Sequence, residues 1–294
     1  MQVTVAKTAG FCFGVRRALE LTQKSAALSP TCTLGELIHN RQVVEELAGQ
    51  GVTVIERPED APAGTAVVIR SHGVGPQVYD TLRAQGSPVI DATCPFVKRI
   101  HQIAAEVPEN GLLLLAGRRE HPEVQGILGY CRGPALVFSS AEEMQELLAF
   151  LPSDGNIPVI LAAQTTFSLR EWEKILFFAK KVCTNLKVFD TICRATIERQ
   201  SEAKQLAQSA DAMVVVGGLH SANTTALAAL CGSYCPTVQV ETADQLERHR
   251  EALRGARFIG ITAGASTPAC IIKEVQNSMS VLENNTEEMN FGEL

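Results

Sequence analysis

At 294 residues and 46% hydrophobic content, the chain can bury a large core and is long enough for two or three domains. Its formal charge of -6 argues against nonspecific nucleic-acid binding, which depends on neutralising phosphates with Lys and Arg. No stretch approaches the roughly 18 apolar residues of a membrane span and no basic-then-apolar leader opens the chain, so a cytoplasmic protein without membrane attachment is expected.

The chain begins with a β-branched run, Val3-Thr4-Val5, that leads through Gly10 and Phe11 to Cys12. Val15, Ala18 and Leu19 then recur at helical spacing. A strand over residues 31–38 ends in His39-Asn40, a helix covers about 42–50, and strands at 52–55 and 66–70 follow, the second ending in Ser71-His72-Gly73. A helix near 76–85 leads to a run that stops at Asp91 and delivers Cys94 to a new helix carrying Val97, Ile100 and Ala104. Next come a strand at 112–116 with the loop His121-Pro122-Glu123, and a strand at 159–162 ending in Gln164-Thr165-Thr166. A run over 186–189 stops at Asp190 and delivers Cys193 to a helix with Ile197, Ala203, Leu206 and Ala207. Two further strands, 213–216 and 258–261, end in the polar loops 217–224 and 262–267.

Alternating β and α segments predict an α/β fold with mainly parallel sheets. The last third lacks a strand ending in cysteine, whereas the first such strand has no preceding unit. The simplest closure is circular. Residues 1–11 are expected to complete the third sheet, giving three similar lobes, 12–94, 95–193 and 194–282, arranged pseudo-threefold around a central metal centre. The three cysteines lie 82 and 99 residues apart, about one small domain each. Residues 283–294, acidic and rich in Asn and Glu, are expected to be a disordered tail.

Ligands of open parallel sheets bind outside the carboxyl ends of the strands. The residues placed there are His39, His72, His121, Glu123, Thr165, Thr166, His220, Ser221, Asn223, Ser266 and Thr267, together with Cys12, Cys94 and Cys193. Histidines and hydroxyls beside helix N-termini suit a phosphate group. In a reducing compartment, nine cysteines without regular close spacing point to thiols or metal ligands rather than disulfides. A thiol at a helix start is favoured as thiolate, and three of them could hold zinc or an iron-sulfur cluster. With three ligands, one iron of a 4Fe-4S cluster stays open for substrate. Cys32, Cys131, Cys183, Cys231, Cys235 and Cys270 lack this context and are expected to pack. Glu123 is the proton-transfer candidate; equally, it suits a first-turn acid that complements a helix dipole. Thr165 and Thr166 could relay a proton or cap a helix.

In combination the motifs are specific: Gly10-Phe11-Cys12-Phe13-Gly14-Val15, Ile38-His39-Asn40, Ser71-His72-Gly73-Val74, Asp91-Ala92-Thr93-Cys94-Pro95, His121-Pro122-Glu123-Val124, Gln164-Thr165-Thr166, Asp190-Thr191-Ile192-Cys193 and Thr262-Ala263-Gly264-Ala265-Ser266. With them the chain resembles the LytB family of 4-hydroxy-3-methylbut-2-enyl diphosphate reductases, from residue 1 to about 275. The resemblance implies a three-lobed fold with one oxygen-sensitive 4Fe-4S cluster on Cys12, Cys94 and Cys193. It implies diphosphate contacts from His39, His72, His121, Ser221, Asn223 and Ser266, with Thr165 near the substrate hydroxyl and Glu123 supplying protons. Two electrons, delivered singly by a ferredoxin or flavodoxin, would expel the hydroxyl as water and yield isopentenyl or dimethylallyl diphosphate. Residues 217–227 depart from the family pattern, in which Asn commonly replaces His220, a second Ser replaces Ala222, and Arg or Lys replaces Ala226. Competing readings are a non-redox 4Fe-4S dehydratase, an iron-sulfur electron carrier or sensor, and a structural zinc protein.

Overall fold

The structure, a computed structural model, describes residues 1–38, 40–149, 157–183, 185–219 and 221–290; for residue 222 and residues 280–290 it describes the backbone alone. In chain order the first elements are β1 (Gln2–Val5), α1 (Phe13–Ala26), β2 (Thr31–Leu34), α2 (Arg41–Gly49), β3 (Val52–Ile55), β4 (Ala66–Ile69), α3 (Pro76–Ala84) and β5 (Val89–Asp91). The middle third holds α4 (Pro95–Ala105), β6 (Leu112–Ala116), α5 (Pro122–Leu128), β7 (Ala135–Phe138), α6 (Ala141–Ala149), β8 (Val159–Ala163), α7 (Leu169–Val182) and β9 (Leu186–Val188). The last third holds α8 (Arg194–Ser209), β10 (Ala212–Val216), α9 (Ala222–Gly232), β11 (Thr237–Val240), α10 (Arg250–Leu253), β12 (Phe258–Ala263) and α11 (Ala269–Asn290).

The strands form three four-stranded parallel sheets, ordered β3-β2-β4-β5, β7-β6-β8-β9 and β11-β10-β12-β1. Numbered from its own first strand, each sheet has the order two-one-three-four. In the third sheet the fourth place is taken by β1, whose Gln2 pairs with Phe258 and Val5 with Ile261. Central strands are covered on both faces, which explains their unbroken apolar runs: Leu112 to Ala116 and Ala212 to Val216 are buried throughout. Three helices that follow strands start with Pro76, Pro95 and Pro122, where a missing N–H costs nothing and the fixed φ suits the first turn.

The chain divides into two compact units. One contains Met1–Val15, Ile38–Val43 and Ile197–Leu294, with the sheet completed by β1; its core joins Val214, Val216, Ile259, Ile261, Ile271 and Val275. The other contains Arg16–Leu37 and Val44–Thr196, with the two remaining sheets. There Ile100, Leu113, Leu115, Val124 and Ile127 form one core, and Leu34, Val67, Ile69 and Leu82 another.

Two sequence expectations need correction. The edge strands β7 and β11 were not anticipated; both are short and only partly buried, so their pattern is weak and pairing with β6 and β10 decides their conformation. Residues 283–290, expected to be disordered, continue α11 to Asn290. Extending a helix already nucleated on Ile271, Ile272 and Val275 is far easier than starting one, so an acidic, Asn-rich segment can follow it. Residues 291–294 of the expected tail lie outside the described residues. No helix among the described residues is long and apolar enough to cross a membrane.

Candidate functional site

In each sheet the strand order reverses between the first and third strands, β2 and β4, β6 and β8, β10 and β12. The chain must leave these pairs in opposite directions, which opens a crevice at their carboxyl ends. The loops named from sequence follow these strands.

Within the larger unit, the loops after β6 and β8 are joined by side chains. Gln164 Oε1 accepts the Arg118 N–H at 3.3 Å and its Nε2 donates to Thr166 Oγ1 at 3.0 Å. His121 caps α5, its Nδ1 accepting the Glu123 N–H at 3.1 Å. That bond requires Nδ1 to be bare, so the neutral ring carries its proton on Nε2, a donor. The ring meets that of His72 edge-on with centroids 5.3 Å apart, bringing together two of the histidines chosen from sequence.

Glu123 sits in the first turn of α5, but the residue is only 2% exposed. Oε1 accepts the Thr165 N–H at 2.7 Å and Oε2 accepts the Thr165 hydroxyl at 2.8 Å. Burial pushes its pKa up to about 7, although both Thr165 bonds oppose the rise. The carboxyl group is therefore half protonated near neutral pH, and its hydroxyl neighbour can pass a proton in either direction. Thr165 is linked onward, its carbonyl accepting the Cys193 N–H at 3.0 Å. Thr165 thus holds the acid through its hydroxyl and N–H and the Cys193 backbone through its carbonyl.

The same backbone link occurs at every cysteine singled out. Cys94 N–H donates to Ser71 O at 3.0 Å, next to His72; Cys12 N–H donates to Ala265 O at 3.3 Å, next to Ser266. Each cysteine stands immediately before a helix, respectively α4, α1 and α8, and each is partly exposed. Cys193 Sγ also lies 3.1 Å from Thr196 Oγ1. Among the remaining cysteines, burial pushes up the thiols of Cys32, Cys131, Cys183, Cys231 and Cys235, Cys231 to about 12, and Cys270 is exposed.

The two Asp-x-x-Cys motifs differ in use. Asp91 accepts the Thr93 N–H at 2.9 Å and pairs with Lys98 at 2.6 Å; burial would raise its pKa, but these bonds hold it below the usual carboxylate range. Asp190 is exposed, and Thr191 takes over, its hydroxyl accepting the Ala163 N–H at 2.8 Å and donating to Ala163 O at 2.7 Å.

In the smaller unit, Ser221 caps α9, accepting the Thr224 N–H at 3.4 Å, while Asn223 and Ser266 are partly exposed beside it in sequence or at the end of β12. Thr267 is fully buried and donates to Val216 O at 3.0 Å, a structural bond. Gly217 has φ +140°, and a Cβ there would lie 2.6 Å from Thr267 Oγ1, so the turn admits only glycine. His39 and His220 lie outside the described residues. Sequence reasoning gave no role to Arg17, Arg199 or Glu202; a polar residue inside a helix carries no signal of the loop it reaches.

The described residues contain no group of three or more His, Cys, Asp or Glu side chains that could hold a metal ion. A 4Fe-4S cluster spaces its thiolates around several irons rather than one. Its fit to this chain rests on donor chemistry: three partly exposed thiols, each immediately before a helix.

Fold and site together define a parallel α/β protein with one repeated sheet topology, a buried acid and threonine paired at the strand ends, and partly exposed cysteines before the helices that follow. The LytB protein family profile matches residues 3–280, and the chain belongs to that family. It is 40% identical over 297 residues to the 4-hydroxy-3-methylbut-2-enyl diphosphate reductase of Caldanaerobacter subterraneus subsp. tengcongensis, covering 98% of this chain and 99% of that one. It is 41% identical over 288 residues to that of Geobacter sulfurreducens, covering 97% and 99%. Among solved structures it is similar to an (E)-4-hydroxy-3-methyl-but-2-enyl diphosphate reductase described as the terminal enzyme of the non-mevalonate pathway, with TM-score 0.67, 38% identity and coverage of 95% and 99%. It is also similar to the E-1-hydroxy-2-methyl-but-2-enyl-4-diphosphate reductase of Plasmodium falciparum, with TM-score 0.87, 26% identity and coverage of 94% and 87%.

Proposed function

We propose that this chain reduces 4-hydroxy-3-methylbut-2-enyl diphosphate to isopentenyl and dimethylallyl diphosphate, the last step of the methylerythritol phosphate route. Cys12, Cys94 and Cys193 would hold a 4Fe-4S cluster. Bound there, the cluster would supply two electrons one at a time, received from a ferredoxin or flavodoxin in a reducing cytoplasm, together with an open iron. His39, His72, His121, Ser221, Asn223 and Ser266 would donate hydrogen bonds to the diphosphate, His121 through its Nε2–H. The carbon–hydroxyl bond breaks, the hydroxyl leaves as water with one proton, and a second proton on either end of the allyl unit gives the two products.

The single observation that carries this reading is the buried pair of Glu123 and Thr165. An acid with a pKa of about 7 keeps a proton available at neutral pH, and the Thr165 hydroxyl 2.8 Å away is its outlet. An electron carrier has no use for such a pair. A dehydratase would use it, but the relatives' names carry reduction rather than dehydration.

The test is anaerobic oxidation of a reduced viologen by cluster-reconstituted protein with and without the substrate. Substrate-dependent oxidation that yields five-carbon diphosphates, and that is lost in Cys12→Ser, Cys94→Ser and Cys193→Ser but kept in Cys131→Ser, is expected. Turnover without viologen oxidation would establish the dehydratase instead.

A further inference from the structure

The segment between β1 and Cys12 is held from one side by α8. Glu202 accepts the Lys7 N–H at 2.8 Å, the Thr8 N–H at 2.8 Å and the Thr8 hydroxyl at 2.6 Å. Its partial burial would raise the carboxyl pKa, but these three donors outweigh that and keep it low, so the anchor is charged at neutral pH. One turn earlier on the same helix face, Arg199 is 4% exposed. Its Nη1 donates to Ala263 O at 2.5 Å and its Nη2 to Gly10 O at 2.7 Å. One guanidinium therefore ties the end of β12 to the residue two before Cys12. Gly10 itself has φ +99°, a left-handed turn between clamp and thiol that glycine adopts without strain.

The device recurs in the other unit. Arg17 of α1 donates Nη1 to Thr93 O and Nη2 to Asp91 O, both at 3.3 Å, one and three residues before Cys94. Two arginines on different helices, in different units, thus each fork across two carbonyls, Arg17 across two just upstream of Cys94 and Arg199 across one just upstream of Cys12 and one at the end of β12. Satisfying buried carbonyls would need no such placement; threonine hydroxyls do that at Ala163.

We propose that Arg199 and Arg17 are positioning residues, Arg199 for the Cys12 thiol and Arg17 for the Cys94 thiol, each acting through the backbone carbonyls it grips. The proposal rests on the reading of both cysteines as cluster ligands. A planar guanidinium spans two carbonyls, whereas the ammonium of lysine, a point donor on a flexible stem, holds one at a time. Arg→Lys thus keeps the charge and removes the fork.

The experiment compares Arg199→Lys, Arg17→Lys and Glu202→Gln with wild type, measuring alkylation rates of individual cysteines in cluster-free protein, and iron loss to a chelator in reconstituted protein. Losing a charge-assisted hydrogen bond should loosen its segment by about tenfold or more, so Arg199→Lys and Glu202→Gln should speed alkylation of Cys12 by about that factor and leave Cys94 unchanged. Arg17→Lys should do the reverse, and all three variants should release iron faster than wild type. Equal acceleration at Cys12, Cys94 and Cys193, or none, would overturn the proposal, the first because it marks general loosening. Wild type that takes up no cluster would remove the reading of the cysteines as ligands, and the crossed alkylation pattern would still report separately on the two clamps.

Discussion

Glu123 and His101 are buried in the same unit and shift in opposite senses, which fixes how stability should depend on pH. Burial raises the Glu123 carboxyl from a usual 4.5 to about 7. Burial lowers His101 from 6.5 to about 4, with Asp91 opposing and Lys98 assisting. His101 stacks on Tyr130 with centroids 4.4 Å apart, and its Nε2 has no hydrogen-bond partner among the described residues. Glu123 binds its proton more tightly in the folded state, so its contribution is complete below pH 4.5 and is lost as pH climbs through about 7. His101 binds its proton less tightly when folded, so its contribution is complete above pH 6.5 and is lost as pH falls through about 4. At about 1.4 kcal/mol per pH unit of displacement, either group is worth roughly 3 kcal/mol. Between pH 4.5 and 6.5 the two slopes cancel in the wild type.

Glu123→Gln removes one slope and uncovers the other. Measured by urea denaturation at pH 5, 6.5 and 8, the variant should gain stability steadily from pH 5 to 6.5, where wild type is flat in these terms. At pH 8 it should exceed wild type by up to about 3 kcal/mol, because the buried charge is gone. His101→Gln should show the mirror image, losing stability from pH 5 to 6.5. A Glu123→Gln curve that runs parallel to wild type from pH 5 to 8 would refute the raised carboxyl pKa, and with it the case for Glu123 as a proton donor at neutral pH.

Thr165→Val removes a hydrogen bond that favours the Glu123 carboxylate, so on the proposed reading the alkaline limb of the pH–rate profile should move above its wild-type position while turnover falls about 10²-fold or more; an unmoved limb would separate that limb from Glu123. Gly73→Ala places a Cβ 2.6 Å from His101 Cε1 at φ +71°, and overpacking plus left-handed strain should cost about 2–4 kcal/mol in denaturant unfolding. A loss under 0.5 kcal/mol, on the order of an ordinary surface substitution, would mean that the His72 loop yields freely.

The buried strands were legible because strands covered on both faces must be apolar throughout, as at Val67, Val68 and Ile69. The edge strand Thr237–Val240 was not, since its alternation runs over four residues and only its pairing with β10 marks it as a strand. At the site, residue types were readable and directions were not. Glu123 in the first turn of a helix fits a solvent-facing dipole partner just as well; only the fold turns it inward to Thr165. Asp91 and Asp190 stand in matching motifs, yet one orders its turn and the other faces water, because Thr191 reaches Ala163 and makes the second aspartate dispensable there. Arg199 and Glu202 had no signal at all, their partners Gly10 and Thr8 lying 189 and 194 residues away in sequence.

The pairing of Gln2 with Phe258 sets a schedule for biosynthesis. β1 leaves the ribosome ahead of β12 and must remain without its neighbour until β12 emerges, roughly ten to fifty seconds later at usual elongation rates. Throughout that interval the nascent chain carries an unmatched strand, and the Ala265 carbonyl that receives the Cys12 N–H does not yet exist. Of the three cysteines, Cys12 is thus made before Cys94 and Cys193 and seated after them. On the proposed reading, a complete set of three cluster ligands is reached only once β12 has been made, so chains that stall before it cannot capture iron in the native arrangement.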